Sequence, residues 1–395
     1  MHLSVRLPQV QPDQIPTPTR CPWHPARKKQ CAGKHFKLHQ IICRKSVRDT
    51  RYTEVLCHRY RCLKCKCSFR VYPQGVSHDQ LSDRLKALSV LLYILGLSYQ
   101  GVADLLDSLE QAVSKGTVFN NVQAAGTRTQ QLRRAWLTQQ VGKVKVLGLD
   151  FTHVKCLGQD KIVAVATAIL TGQPLTFDLI EAEASVRVEQ WVRNLAHTLG
   201  AEILVTDDAD ALKAVADHLG LKQQICRAHV NRNVHDLIAA LGTKALEHPD
   251  SVPWELVGMR LDQFREDLQD LEWIIQSMPH DGQVQLDQLA ARYQLAPPPS
   301  QGHKATMWYR MRLMTLDWSE NWSRLALYQS WRSEQNEKLD GTNNVTEQVI
   351  GQCVKERYRT MRGYKRPQSI LNVSSLIGWA RAKGPDYDLS ELVSG

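Results

Sequence analysis

Long apolar runs and an N-terminal signal segment are both missing from this 395-residue sequence. The longest apolar run, at residues 88–97, is about half as long as a membrane-spanning helix requires. The N-terminus has no positively charged segment followed by an apolar one, as a secretory signal would have. We therefore expect a cytoplasmic protein with no membrane partner.

Acidic residues are scarce in one stretch of the chain. Between residues 20 and 70, 15 lysines and arginines accompany only Asp49 and Glu54, so this stretch carries +13 while the whole chain carries +10. A folded segment this basic suggests a polyanionic partner, most often nucleic acid. The alternative is a solvated basic surface that serves solubility.

Cysteine is scarce after residue 67, since seven of the ten cysteines precede residue 68. In a reducing compartment such a cluster favours metal ligation over disulfides, although free thiols remain the alternative. Cys21-Pro-Trp-His24 and Cys62-Leu-Lys-Cys65 each place two ligands on a tight knuckle, and two knuckles can close a tetrahedral zinc site. We predict a structural Zn²⁺ held by Cys21, His24, Cys62 and Cys65. Five further residues compete for these positions: Cys31, Cys43, Cys57, His58 and Cys67.

Composition and periodicity divide the chain into six segments, and no internal repeat is evident. A polar leader and a basic zinc module come first, followed by a small helical domain with its linker. An α/β core then surrounds a helical insertion. The expected boundaries are 1–20 for the leader, 21–75 for the zinc module, 79–140 for the helical domain, 141–242 for the first part of the core, 243–341 for the insertion and 342–395 for the final helix and basic tail.

Residues 97–106 and 113–122 have the character of a helix-turn-helix. The second helix is expected to begin after Ser114 as N-cap and to present Lys115, Thr117 and Asn120 to a DNA major groove. Three-helix units are also common in proteins that do not bind DNA, so the adjoining basic module is what favours this reading.

The segment from residue 144 reads as three strands in succession, followed by alternating helices and strands, which predicts a mixed α/β sheet. In residues 243–341 helical periodicity replaces the strand pattern, and six of the ten tryptophans lie there. Tryptophans in such a segment more often fill a core than stack on bases. Trp308, Trp318 and Trp322 are the ones that could face DNA.

Three acidic residues in this part of the chain lie near the ends of expected strands or the start of an expected helix. Asp150 and Asp207 are expected to end two strands, and Glu347 lies in the first turns of a helix. Phosphodiester chemistry with two divalent ions needs about three carboxylates that meet at one point. A single acid at a strand end is often only a cap, so the order of all three, together with Cys226 and His229 after the second aspartate, is the signal.

In this order the residues resemble the DDE transposases of bacterial insertion sequences, in the branch that shares features with Mutator-like and hAT elements. The resemblance covers roughly residues 144–369, and the N-terminal zinc module is also typical of such proteins. It implies an RNase H-like core of the retroviral integrase type, with an all-α insertion before the last acid. Asp208 departs from the glycine often found at its position and leaves open which of the two adjacent aspartates ligates metal.

The resemblance also implies a function and a set of roles. Asp150, Asp207 and Glu347 would ligate two Mg²⁺ or Mn²⁺ ions, and Cys226 and His229 would form a structural or active-site support pair. The chain would bind double-stranded DNA at element ends and at the target, as a homodimer or larger assembly associated with the nucleoid. Arg357 and Arg359 would steady phosphates.

Two other functions fit parts of this pattern. One is a catalytically silent regulator derived from a transposase, and the other is an RNase H-fold nuclease or resolvase that cuts without joining. The presence of all three acids favours an enzyme over the regulator. The large insertion and the two N-terminal modules favour transposition, because both element ends must be recognised and held.

Overall fold

A computed structural model describes residues 4–22, 31, 33–183, 186–247, 261–299, 301, 305–335, 339–361, 363–384 and 386–393. The chain divides into two compact units. The terminal unit comprises residues 1–135, 154–159 and 352–395, and the central unit comprises residues 136–153 and 160–351. No helix of the described residues is long and apolar enough to cross a membrane.

The terminal unit begins with two small sheets. Strand β1 (Ser4–Arg6) pairs in parallel with β10 (Asp386–Asp388), which brings the two ends of the chain together. Strands β2 (Phe36–Ser46), β3 (Glu54–Cys62) and β4 (Ser68–Val71) form an antiparallel sheet in that order. In β3 the side chains of Val55 and Cys57 are buried while their immediate neighbours are more exposed, as the two-residue period of a strand requires.

Three helices follow in the terminal unit: α1 (Asp83–Ile94), α2 (Tyr99–Ser108) and α3 (Lys115–Thr138). Serines cap them, since the hydroxyls of Ser82, Ser98 and Ser114 accept the backbone N–H groups of Leu85, Gly101 and Thr117. The sequence predicts a short helix ending near residue 125 and a polar helical linker after it, and the structure joins the two as one continuous helix, α3. Gly126 does not break it, because this glycine lies against Asn372, where a Cβ would come 2.5 Å from the Asn372 carbonyl oxygen.

The C-terminal segment of the chain is helical. A π-helical turn (Gly351–Lys355) leads into α13 (Glu356–Met361), and α14 (Pro367–Lys383) and α15 (Ser390–Val393) complete the chain. Proline at the first position of α14 suits a helix start, because its missing N–H would have no intrahelical partner there.

A five-stranded mixed sheet organises the central unit. Its strands are β5 (Val146–Cys156), β6 (Gln159–Ala168), β7 (Gln173–Ile180), β8 (Ile203–Thr206) and β9 (Lys222–Ile225), in the order β7-β6-β5-β8-β9. The β6–β7 pair is antiparallel, and β5, β8 and β9 run parallel. Helix α4 (Val186–Leu199) connects β7 to β8, helix α5 (Asp210–Leu219) connects β8 to β9, and helix α6 (Arg227–Glu247) follows β9. The predicted mixed α/β class is therefore correct.

One strand boundary differs from the expectation. Asp150 does not end its strand, since β5 continues to Cys156. The continuation alternates buried Thr152, Val154 and Cys156 with exposed His153 and Lys155. Such alternation, with a glycine turn at Gly158 (φ 79°), allows a hairpin to extend the strand beyond the acid.

The segment between α6 and the last acid is helical, as predicted, over its described residues. It contains α7 (Leu261–Ser277), α8 (Gly282–Arg292), α9 (Met307–Glu320), α10 (Trp322–Leu325) and α11 (Leu327–Gln335), and α12 (Asn344–Ile350) follows it. Trp308, Trp318 and Trp322 are buried in a core that also contains Val230 and Val234 of α6. These three tryptophans pack the insertion instead of facing DNA.

Candidate functional site

The sheet of the central unit places Asp150 on β5 and Asp207 directly after the end of the neighbouring strand β8. Gly148 of β5 is paired with Val205 of β8 in parallel register. The same register, continued by two residues, brings Asp150 opposite Asp207. The Asp150 carboxylate accepts the N–H of Phe151 at 2.7 Å, and that of Asp207 accepts the N–H of Ala209 at 3.3 Å.

The surroundings of Asp150 disfavour its charged form. Burial, followed by the negative charges of Asp207 and Glu347, raises the pKa of Asp150 to about 6, although the Phe151 N–H opposes the shift. A carboxylate that is desolvated and repelled by two others is stabilised by a cation placed among them. The donor set of three carboxylates, which offers only oxygen ligands, fits Mg²⁺ or Mn²⁺.

Asp207 and Asp208 have different partners. The carboxylate of Asp208 forms an ion pair with Lys213 at 2.9 Å, within a network that also includes Asp210. Within the described part of the chain no lysine or arginine forms an ion pair with Asp207, and its negative charge acts on Asp150. This difference supports Asp207 as the acid that faces the site.

Glu347 lies on α12 beside the predicted support pair. The Nδ1 atom of His229 is 3.5 Å from the Glu347 carboxylate, and the ligand atoms of Cys226, His229 and Glu347 lie within 4.8 Å of one another. Among the described residues, the oxygens of Asp150, Asp207 and Glu347 do not form a group this tight. Two ions spaced about 3.5–4 Å apart can bridge a more open set of carboxylates.

Cys226 and His229 polarise each other. Cys226 directly precedes α6, and His229 is the third residue of that helix. Burial opposes ionisation of Cys226, but His229 and the backbone N–H of Asn343 outweigh it and lower the pKa of the thiol. Contact with Cys226 likewise raises the pKa of His229 against the effect of burial. Each group of the pair therefore shifts the pKa of the other toward its charged form, next to Glu347.

Asn343, to which the sequence analysis gave no role, joins the elements that carry these residues. Its side chain is fully buried. Its Nδ2 donates to the Leu149 carbonyl at 2.8 Å, its backbone N–H donates to the Cys226 sulfur at 3.1 Å, and its Oδ1 accepts the Thr346 hydroxyl at 2.6 Å. Strand β5, the start of α6 and helix α12 thus meet at one residue, Asn343. The only sequence signal for it is its place in Gly341-Thr-Asn-Asn-Val-Thr-Glu347.

Close packing supports the same junction. The Thr346 hydroxyl also bonds with that of Thr167 at 2.6 Å. A Cβ on Gly148 would overlap the Thr346 hydroxyl and would come 2.5 Å from the Ile169 side chain. Glycine at 148 therefore allows α12 to lie directly on β5, two residues before Asp150.

The cysteine-rich segment of the terminal unit forms a four-sulfur cluster. The sulfur atoms of Cys21 and Cys65 are 3.6 Å apart, those of Cys31 and Cys62 are 3.9 Å apart, and all four lie within 4.8 Å. A backbone hydrogen bond from Cys67 lowers the pKa of Cys65 to about 6, which favours the thiolate that zinc requires. The structure thus brings Cys21, Cys62 and Cys65 together with Cys31. His24, the predicted fourth ligand, lies outside the described residues.

The remaining competitors are placed differently. Cys57 is fully buried within the β2–β3–β4 sheet, and Cys67 and His58 are partly exposed outside the four-sulfur group. The side chain of Cys43 lies outside the described residues. Four cysteine thiolates suit a structural zinc ion, and Gly33 leaves room for the Cys62 sulfur, which a Cβ at residue 33 would approach to 2.6 Å.

The residues expected to contact DNA occupy two kinds of position. Lys115 and Asn120 are exposed on the first turns of α3, and the partly buried Thr117 shares a hydrogen bond of 2.9 Å with Ser114. Arg359 is exposed on α13. Arg357 is buried instead, where its guanidinium lies over the Tyr93 ring at 4.4 Å and donates to the Gly96 carbonyl at 2.9 Å. These contacts give Arg357 a structural role within the terminal unit.

Comparisons with known proteins give only distant similarity. No family model and no curated protein matches the sequence. A magnesium complex of the HTLV-2 integrase catalytic core domain is 14% identical, covers 33% of this chain and 84% of that chain, and has a TM-score of 0.19. The catalytic domain of the Mos1 mariner transposase is 12% identical, covers 26% of this chain and 58% of that chain, and has a TM-score of 0.17.

Proposed function

We propose that the chain is a DNA transposase of the DDE type with an RNase H-like catalytic core. The observation that carries this proposal is that the charges of Asp207 and Glu347 both act on Asp150, while Asn343 joins strand β5 of Asp150 to helix α12 of Glu347. The strand order β7-β6-β5-β8-β9 supports the fold, because it brings the first and fourth strands of the sheet side by side, as in RNase H-like proteins.

In this proposal the three acids hold two divalent ions, Mg²⁺ or Mn²⁺. Bound there, the ions supply activation of the attacking oxygen and stabilisation of the departing 3′-oxygen. The chain's own residues fix the geometry. Asn343 sets the distance between β5 and α12, and the His229 ring, with its Nδ1 atom 3.5 Å from the Glu347 carboxylate, orients that carboxylate. Water would attack the scissile phosphorus and the P–O3′ bond would break, leaving a 3′-hydroxyl on the element and a 5′-phosphate on the flanking strand. That hydroxyl would then attack a target phosphorus in line and displace the target 3′-oxygen, so that one phosphodiester bond replaces another.

Recognition of DNA belongs, in this proposal, to the terminal unit. The bases and phosphates of the element end would be contacted by Lys115, Thr117 and Asn120, and a further phosphate by Arg359. The four-cysteine zinc module would stabilise the fold of the basic segment. Because both ends of an element must be held at once, we expect a homodimer or larger assembly on DNA.

A strand-transfer assay with matched variants tests the catalytic claim. Duplex DNA carrying candidate element ends would be incubated with full-length protein and Mn²⁺. Asp150→Asn, Asp207→Asn and Glu347→Gln each remove a charge with little change in shape, so each should abolish cleavage and joining while end binding persists. Asp208→Asn is the matched control and should retain activity, because Asp208 is paired with Lys213.

The outcomes separate the alternatives. Cleavage without joining would favour a nuclease or resolvase, and end binding without either reaction would favour a silent regulator. If Glu347→Gln cut and joined at the wild-type rate, the third acid would have to be sought elsewhere. Glu334 is exposed on α11, Glu356 lies 4.0 Å from Arg381 in the terminal unit, and Glu337 lies outside the described residues.

A further inference from the structure

A cavity of about 690 Å³ lies within the terminal unit, and the proposed function leaves it without a role. It lies between the first turns of α2 and α3 on one side and residues 357–369 on the other. Ligand pockets in proteins commonly have volumes of about 300–1,000 Å³, so this one is large enough for a small organic ligand.

The described lining of the cavity is cationic. Lys115, Lys365 and Arg366 have exposed side chains at its edge, and no aspartate or glutamate lines it among the described residues. It also adjoins the N-terminus of α3, a 24-residue helix whose first amides and dipole favour negative charge. An anionic group is therefore the expected occupant of this side.

Two buried polar groups on the cavity wall lack partners. Arg357 is 5% exposed, and its Nη2 has no hydrogen-bond partner among the described residues. Tyr364 is 3% exposed, and its hydroxyl is likewise unpaired within the described part of the chain. Because buried donors are nearly always hydrogen-bonded in folded proteins, these two groups indicate a ligand that offers acceptors to them.

Aromatic rings supply the rest of the wall. Tyr99, Phe119 and Tyr364 all line the cavity, and the guanidinium of Arg366 lies 5.6 Å from the centre of the Phe119 ring. A flat heteroaromatic group can stack on such rings, whereas a bare phosphate would leave them without a partner. The lining thus fits a molecule that joins an anion to a planar ring with acceptor atoms.

We propose that this cavity binds one nucleotide, with the phosphate at Lys115, Lys365 and the start of α3 and the base among the aromatic rings. Arg357 and Tyr364 donate to acceptor atoms of that base. A base paired within a duplex cannot enter a cavity without leaving its stack, so the nucleotide is either an unpaired one in a DNA strand or a free one. Binding of a nucleotide that is part of a DNA strand rests on the proposed function, whereas binding of a free nucleotide in this cavity does not.

The test uses full-length protein and fluorescence of the base analogue 2-aminopurine. Three probes separate the sources: free 2-aminopurine deoxyribonucleoside 5′-monophosphate, a duplex ending in one unpaired 2-aminopurine nucleotide, and the same duplex with that nucleotide paired. Saturable binding is expected for the first or the second probe. The affinity of this site for the paired duplex end should be at least about ten-fold weaker than for the unpaired nucleotide, because a paired base would lose a good hydrogen bond and a stack in the cavity.

Two variants locate the site. Tyr364→Phe removes one hydroxyl and keeps the ring, so it should weaken binding of the unpaired nucleotide about ten-fold without unfolding the helices. Lys115→Ala should weaken it by a similar factor. Lys355→Ala removes the same charge from an exposed lysine outside the cavity and should change the affinity less than about two-fold.

Three results would overturn the proposal: no saturable binding of either unpaired probe, unchanged binding in Tyr364→Phe, or equal weakening in Lys355→Ala. The strand-transfer assay keeps this failure separate from that of the proposed function. Protein that cuts and joins DNA but takes up no unpaired nucleotide would refute the cavity assignment alone. Protein that binds the free nucleotide through Tyr364 but never cuts DNA would refute the transposase assignment alone.

Discussion

Asn343 shows how one buried amide can set the distance between catalytic groups. Its side-chain amide donates to the Leu149 carbonyl next to Asp150 and accepts the hydroxyl of Thr346 next to Glu347. The backbone N–H of the same residue donates to the sulfur of Cys226. Each of these contacts lies one residue from a proposed catalytic acid or belongs to the support pair. A shift of this amide would therefore move two acids relative to each other.

We predict that Asn343→Ala lowers activity more than stability. Losing two buried side-chain hydrogen bonds should cost about 2–4 kcal/mol of unfolding free energy. The displacement of α12 against β5 should lower the cleavage rate about 100-fold even where the protein remains folded, because misplacement by about 1 Å has that effect. Chemical denaturation and single-turnover cleavage measure the two quantities.

The neighbouring Asn344 provides the control for this prediction. Asn344 is exposed on α12, and Asn344→Ala should change neither quantity appreciably. A higher Mn²⁺ concentration for half-maximal activity in Asn343→Ala alone would indicate lost positioning of the acids. Equal fractional losses of activity and of folded protein would instead assign Asn343 a purely structural role.

At the scale of elements, the contact between β5 and α12 depends on a residue with no side chain. Because residue 148 is a glycine, the helix of Glu347 contacts the strand of Asp150 through Thr346 at a shorter distance than a side chain at residue 148 would allow.

We predict that Gly148→Ala destabilises the fold by about 1–3 kcal/mol through overpacking. Thr346→Ala should recover part of this loss in the double variant, because it removes the hydroxyl that the new methyl group would overlap. Gly351→Ala is the matched control, since nothing lies within 4 Å of a Cβ at that position. Thermal unfolding of the wild type, the two single variants and the double variant measures the coupling, with Gly351→Ala measured beside them. An unchanged midpoint for Gly148→Ala would contradict this packing.

The zinc module allows a test between two ligand sets. We predict about one zinc ion per chain, held by Cys21, Cys31, Cys62 and Cys65, so Cys31→Ser should lose the metal and unfold the module. Cys67→Ser should retain it, because the Cys67 sulfur lies outside the four-sulfur group. Metal content by mass spectrometry decides the matter. Retention of zinc in Cys31→Ser together with its loss in His24→Ala would restore the histidine-containing set.

At the scale of the whole molecule, positive charge and the proposed chemistry lie in different units. The basic stretch between residues 20 and 70 belongs to the terminal unit, and Asp150, Asp207 and Glu347 belong to the central unit. The terminal unit also includes residues 352–395, with Asn372 of α14 against Gly126 of α3. Binding experiments therefore require the full chain, because a fragment ending near residue 140 would lack α14.

We predict that the full-length protein binds duplex DNA with an affinity that falls steeply with salt. Each phosphate contact contributes about −0.9 to the slope of the logarithm of affinity against the logarithm of salt concentration, so Lys115→Ala should reduce the slope by about one. Lys143→Ala, an exposed lysine in the central unit, should leave it unchanged. Fluorescence anisotropy over a range of salt concentrations measures the slope, and equal effects of the two substitutions would count against α3 as the DNA-contacting helix.

The sequence by itself determined the local features of this protein. Strand and helix periodicity, serine caps and the basic, cysteine-rich start follow from spacing and residue type, so the mixed sheet, the helical insertion and helix starts such as that at Ser114 were predictable. Asp150, Asp207, Cys226, His229 and Glu347 stood out by residue type and by their order along the chain, and their roles stay predictions.

Only the tertiary structure decided which residues meet across long separations. The choice of Cys31 beside Cys62, the burial of Arg357 under Tyr93 and the hydrogen bond from Asn343 to Leu149, 194 residues away, depend on packing between elements. The periodicity of apolar residues in the sequence indicates which face of a helix or strand is buried. Which other element packs against that face is determined by complementary shape and by the pairing of buried polar groups.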